Sequence, residues 1–284
     1  MIAWMLLLCL QEPGIASQYP GDDGITRDPR VLFAENFETG DLRSIGARWG
    51  DVGRPQNLAL SDDVPPGSSG RRSLKVAFGG LYTHFRPADR VHARYSIKFG
   101  PLCGYTHHLP FLLADGEPTA WPKGFAGKKP AGDNFFGSAL DAWGDWGAEK
   151  PPGKWILYSY WQDMKPDGRG DYWGNNFKTP QEPIERGRWI TVEMMIKANS
   201  SPSAADGEQA FWVDGKRAAE FKGIRWRSSD ALKLNSFWLL HDGHTEDLNQ
   251  DAEHPHRVYD VWFDDLVIAT DYIGPVQKAA ASGK

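Results

Sequence analysis

The chain has 284 residues, nearly two domains at about 150 residues each, although an all-β sandwich reaches that size as one unit. Charged residues at 24% and hydrophobic residues at 40%, with Gly 31 and Pro 20, exclude a disordered, collagenous or coiled-coil chain. A formal net charge of -5 counts against a general nucleic-acid or polyanion binder, and Trp 13 is a heavy indole load that asks where the rings go. Residues 2–10 are the strongly apolar run, too short for a membrane span and similar to the apolar part of a secretion signal. Residues 1–17 are therefore expected to be a signal peptide, ending at Ile15-Ala16-Ser17, and the protein to be secreted or periplasmic. Its removal takes Cys9 and leaves Cys103 without an internal disulfide partner. From Val31 the pattern is short strands with turn punctuation, and one β-rich domain is expected over residues 18–275, with a fraying tail at 276–284. Residues 32–37 open the first strand, and Leu74, Val76 and Phe78 share a face of the next. Residues 90–99 alternate over a longer stretch, and residues 155–161 follow the Pro151-Pro152-Gly153 turn. Ile190, Val192, Met194 and Ile196 point one way, and Thr191, Glu193, Met195 and Lys197 the other. Residues 210–213 run into Asp214-Gly215, a hairpin turn of the Asp-Gly kind. Residues 234–241 and 258–270 supply two more strands; no long stretch has a helical period. Residues 114–154 and 242–257 read as long loops, the first as a ligand-covering one.

Several chemistries lack their residues. Hydrolysis by a carboxylate pair needs both on one face of a strand, whereas Glu193 stands alone on its strand and Asp264-Asp265 are adjacent. A Gly-x-Ser-x-Gly elbow, a P-loop and a dinucleotide fingerprint are missing. His241, His244, His254 and His256 have ligand-like spacing without a supporting metal motif. A structural calcium is the better metal expectation, with hard oxygen ligands from Glu35, Glu38 and Asp264 where the first and last strands pair. Water-facing edge acids explain the same residues.

Three groupings combine ionisable and aromatic residues. Tyr105 and His107 share one face of an extended segment and His108 takes the other; Tyr158 and Tyr160 share a face; so do Arg225 and Arg227. Each also reads as plain packing or a solvated edge. Together they fit β-elimination of a uronate polymer, in which the sugar carboxylate is neutralised, a His, Tyr or Lys takes the C5 proton, and a Tyr protonates the leaving oxygen at C4.

The C-terminal half resembles the jelly-roll polysaccharide lyases of the alginate and glucuronan type, polysaccharide lyase families fourteen and twenty. Glu185-Arg186-Gly187-Arg188-Trp189-Ile190-Thr191-Val192-Glu193 is similar to a strand of that group, and Asp206-Gly207 through Asp214-Gly215-Lys216 to its following hairpin. Phe221-Lys222-Gly223-Ile224-Arg225-Trp226-Arg227 and Phe263-Asp264-Asp265-Leu266-Val267-Ile268 resemble its next segment and its closing strand. These are scaffold motifs. One segment touches function: His108-Leu109-Pro110-Phe111 stands where the group carries a Lys-Leu-Pro-Gly run whose Lys is implicated in catalysis, so His108 replaces that Lys. A neutral imidazole serves as base and a charged one as carboxylate neutraliser, although the exchange also fits another substrate or a lost activity.

The resemblance implies an all-β, concanavalin A-like β-jelly roll of two antiparallel sheets, secreted and acting as a monomer on a polysaccharide or oligosaccharide substrate. The expected catalytic residues are His108, His107, Tyr105, Tyr158 and Tyr160. The expected substrate-binding residues are Arg225, Arg227, Lys197, Glu193, Trp161, Trp173, Asn175, His241 and His244. Catalysis calls for no cofactor. A glycoside hydrolase on the same fold and a non-catalytic carbohydrate-binding protein stay open as alternatives.

Overall fold

The alternating runs pair into two sheets in the computed structural model, which describes residues 13–117, 125–242 and 259–278. Strands are numbered in chain order. One sheet holds β1 (Val31–Glu35), β3 (Leu58–Ser61), β4 (Ser73–Val76), β6 (Arg90–Phe99), β11 (Trp189–Lys197), β12 (Gly207–Val213), β13 (Lys216–Ile224) and β15 (Val261–Ala269). Its order is β13-β12-β11-β6-β15-β4-β3, with β1 also on β15. The other holds β2 (Asp51–Gly53), β5 (Gly79–Ala88), β7 (Phe111–Asp115), β8 (Phe135–Trp143), β9 (Lys154–Tyr160), β10 (Asn175–Phe177) and β14 (Leu234–His241), in the order β10-β9-β8-β7-β14-β5-β2. Every pairing described is antiparallel. The fold is an all-β jelly roll of two packed antiparallel sheets.

Side-chain parity places the core between them. Tyr95, Ile97 and Phe99 of β6 and Ile190, Val192, Met194 and Ile196 of β11 meet Leu112, Phe136, Leu140, Leu157, Phe237 and Leu239 of the other sheet. Burying each such Leu, Ile or Phe stabilises the fold by about 1.5–3 kcal/mol. The Asp214-Gly215 turn closes the β12–β13 hairpin with φ of 48° and 75°, as a type I′ turn requires.

One sequence expectation needs correction. Residues 114–154 are not one loop, because they contain β8, a strand between β7 and β9. Its run of Gly137, Ser138 and Ala139 is too small to look like a strand, and neighbouring side chains supply the packing instead. A short helix, α1 (Leu42–Trp49), follows β1; Asp41 caps it by accepting from the Ser44 amide at 2.9 Å, and Gly50 leaves it at φ 105°. Two residues just ahead of the expected leader boundary at residue 17 pack against the domain. Ile15 and Ala16 are buried with Ile25, Val267, Ala269 and Ile273, and the Ile15 and Ala16 amides donate to the Tyr272 and Ile273 carbonyls at 3.0 and 2.8 Å. A bulge at Asp265, φ 49°, flips the parity of β15 so that Val267 and Ala269 face this outer layer. The loop expected over residues 242–257 lies, from 243 on, outside the described residues. No described helix is long and apolar enough to cross a membrane.

Candidate active site

Register builds the outer face of the seven-stranded sheet row by row. Tyr158 pairs with Ala139, Ala139 with Phe111, Phe111 with Trp238, and Trp238 with Tyr82. The next row is Tyr160, Gly137, Leu113, Ser236 and His84. The small side chains of Ala139 and the bare Gly137 let the two tyrosine rings lie over β8. The Tyr158 ring centroid therefore comes within 6.5 Å of Phe111 across an intervening strand. Gly137 has no alternative here: a Cβ would meet the Leu112 carbonyl oxygen at 2.6 Å.

At the end of the Tyr158 row stands His108, just before β7, where backbone bonds with Asp242 pin it: its amide donates to the Asp242 carbonyl at 3.3 Å, and the Asp242 amide returns to the His108 carbonyl at 2.8 Å. Its Nδ1 lies 3.0 Å from Oδ2 of buried Asp141, whose Oδ1 accepts from the Leu109 amide at 2.7 Å. A carboxylate only accepts, so the proton of the His108–Asp141 bond sits on Nδ1 and Nε2 is the bare nitrogen of the neutral imidazole. The His108 ring centroid is 5.0 Å from that of Tyr158 and 4.0 Å from that of His107. The Tyr158 and Tyr160 hydroxyls lie 3.4 Å apart. Burial pushes both phenols above the ordinary tyrosine range, and for Tyr160 the neighbouring Tyr158 adds to it. Both stay protonated at neutral pH.

The structure thus brings together His107, His108, Tyr158 and Tyr160, and the sequence reading missed Asp141, Trp238, Tyr82 and His84 around them. A lone acid in the apolar run 135–143 was the available signal for Asp141. The Tyr105 hydroxyl donates to the Glu149 carbonyl at 2.7 Å and braces the turn after β8.

Most expected substrate-binding residues fall elsewhere. Lys197 and Glu193 sit on the outer face of the other sheet, Lys197 paired with Glu208 at 2.8 Å and Glu193 buried against His92 and the Ile273 and Gly274 amides. Arg225 forks onto Asp163 at 2.5 and 3.0 Å, and buried Arg227 binds Asp89 at 2.8 Å and the Leu232 carbonyl at 2.6 Å. Trp161 Nε1 donates to Asn175 Oδ1 at 3.1 Å, so these two brace each other. His241 has inward parity on β14: it is buried, stacks on Phe78 and meets the Val76 carbonyl at 3.2 Å. Trp173 is 47% exposed, and His244 lies outside the described residues.

The three carboxylates expected to hold calcium have other partners. Glu35 takes a two-pronged bond from Arg48, Glu38 accepts from the Arg71 and Arg72 amides at 2.7 and 2.6 Å, and Asp264 accepts from the Asp265 amide at 2.8 Å. Among the described residues no group of three or more His, Cys, Asp or Glu side chains is placed to hold a metal ion.

Comparison with known proteins supplies the fold's neighbours. No protein-family model and no curated sequence matches the chain. An alginate lyase of polysaccharide lyase family 14 from Aplysia kurodai superimposes with a TM-score of 0.62 at 14% identity, over 85% of this chain and 99% of its own. An endo-β-1,4-glucuronan lyase from Trichoderma reesei gives 0.51 at 16% identity, over 87% of this chain and 99% of its own. The alginate lyase Aly36B, solved with an alginate tetrasaccharide, gives 0.56 at 16% identity, over 87% and 99%. The fold is that of jelly-roll alginate and glucuronan lyases.

Proposed function

We propose that this chain is a polysaccharide lyase that cleaves a uronate-containing polymer of the alginate or glucuronan type by β-elimination. The observation that carries the reading is the His108–Asp141 pair meeting Tyr158 and Tyr160 on one sheet face, at 3.0 Å between His108 Nδ1 and Asp141 Oδ2. In this reading His108 Nε2 takes the proton from C5 of the uronate, the C5–H electrons form the C4=C5 bond, and the C4–O bond breaks. The phenol of Tyr158 gives its proton to the departing oxygen, and the Tyr160 hydroxyl beside it stabilises the phenolate left behind. His107, with its ring next to that of His108, donates to the uronate carboxylate and makes the C5 proton more acidic. The solved neighbours are named as lyases of alginate and glucuronan, which supports the substrate class.

The test is incubation with alginate, glucuronan and a neutral β-glucan. Growth of the ultraviolet absorbance of a C4–C5 unsaturated end on a uronate polymer, lost in His108→Ala, is the expected result. New reducing ends without that absorbance would make the protein a hydrolase and overturn the reading.

A further inference from the structure

Trp146 is 91% exposed, which is an unusual position for an indole that has a sheet to pack on. The turn that carries it is strained: Asp145 and Trp146 hold φ of 47° and 57°, followed by Gly147 at 91°. Consecutive left-handed non-glycine residues persist only where the surroundings hold them, and here three contacts do so. Asp145 accepts from Trp143 Nε1 at 3.0 Å and from Lys178 at 2.8 Å, and the Tyr105 hydroxyl grips the Glu149 carbonyl at 2.7 Å. The turn is thus fixed with its indole projecting outward, edge-on to Trp143 at 5.2 Å.

Its place on the sheet gives the projection a purpose. Trp143 lies two residues beyond Asp141 on β8 and opposite Lys154 on β9, so it shares the outer face with the His108–Asp141 pair, about 7 Å further along the strand. A cavity of about 290 Å³ opens beside it, lined by Trp143, Lys154, Lys178 and Pro180. The Lys178 ammonium lies 5.5 Å from the Trp143 ring centroid. Tyr105 belongs to the segment that carries His108, so one stretch of chain positions both the base and this turn.

We propose that Trp146 and Trp143 form an outer subsite that stacks on a sugar ring of the bound polysaccharide beyond the unit being cleaved, with Lys178 and Lys154 at its edge. The apolar C–H face of a pyranose fits an exposed indole, the Lys154 ammonium exchanges its Glu149 partner for a uronate carboxylate, and Lys178 adds its charge while staying on Asp145. The inference rests on the lyase reading for the direction of the chain, although sugar binding itself does not need turnover.

Trp146→Ala is the test, with Trp146→Tyr as the variant that keeps a stacking ring. Two readouts are used: the ratio of kcat/KM on polymeric alginate or glucuronan to that on short oligomers, and binding of the same polymers followed by calorimetry. The alanine variant is expected to lower the ratio and the polymer affinity roughly three- to tenfold, and the tyrosine variant to restore most of both. A wild-type protein that binds polymer in a Trp146-dependent way without cleaving it supports the subsite while refuting the lyase reading. Cleavage with the ratio and the affinity unchanged in Trp146→Ala overturns the subsite alone.

Discussion

Both oxygens of Asp141 are occupied, one by the Leu109 amide and one by His108 Nδ1, so its role is to fix the tautomer and direction of the imidazole. Asp141→Asn keeps the shape and the Leu109 bond but turns an N–H toward Nδ1, which moves the imidazole proton to Nε2 and removes the base. A fall in kcat of about 10²–10⁴ with KM nearly constant is expected in steady-state assays on a uronate polymer. Tyr158→Phe should lose a similar factor because it removes the phenol that, in this reading, protonates the leaving oxygen from beside the His108 ring, while Tyr160→Phe should lose less. His241 acts on stability instead. Burial lowers its pKa from 6.5 to about 4, so the folded state keeps it neutral while the unfolded chain protonates it. Since the unfolded state then binds the extra proton, stability is intact above about pH 6.5 and falls as pH drops toward 4, by about 3 kcal/mol in all. In His241→Gln the acid-side drop in Tm across that window should be visibly shallower than in the parent.

At the scale of elements, legibility followed side-chain contrast. β11 was readable because Ile190, Val192, Met194 and Ile196 fall at alternate positions, and the same alternation marked β6. β8 was not, since a strand flanked on both sides needs no bulk of its own where tyrosines from β9 fold over it. That failure hid Asp141, half of the candidate dyad. The tyrosine pair and His108 were visible from sequence spacing and resemblance; the Arg and Lys residues were not separable from scaffold, because ion pairs formed across the fold consume them. The bare position on β8 is testable. In Gly137→Val the side chain meets the Leu112 carbonyl and Leu113, at a cost of about 1–3 kcal/mol for overpacking. Leu113 packs in one cluster with Tyr160, so its displacement should disturb the tyrosine and activity should fall further than the thermal shift alone accounts for; equal losses in both would show that the tyrosine rings do not depend on that gap.

The whole molecule divides its work between two sheet faces. The seven-stranded sheet shows the histidine and tyrosine rows outward, while the eight-stranded sheet is covered by the residues around Ile15, Ile25 and Ile273. Glu193 holds that cover. It is 2% exposed, and its oxygens accept from the Ile273 and Gly274 amides at 2.9 Å each and meet His92 Nδ1 at 2.8 Å. Removing the carboxylate leaves two buried amides and an imidazole without an acceptor, a loss on the order of 3 kcal/mol. Glu193→Ala should therefore lower Tm and speed hydrogen exchange at the Ile273 and Gly274 amides well before exchange rises in β7, β8 and β9. Because the core lies between Glu193 and His108, kcat per folded molecule should match the parent at a temperature where both are folded. A kcat that falls together with the exchange protection would mean the outer cover is mechanically joined to the site, and the two faces would have to be treated as one device.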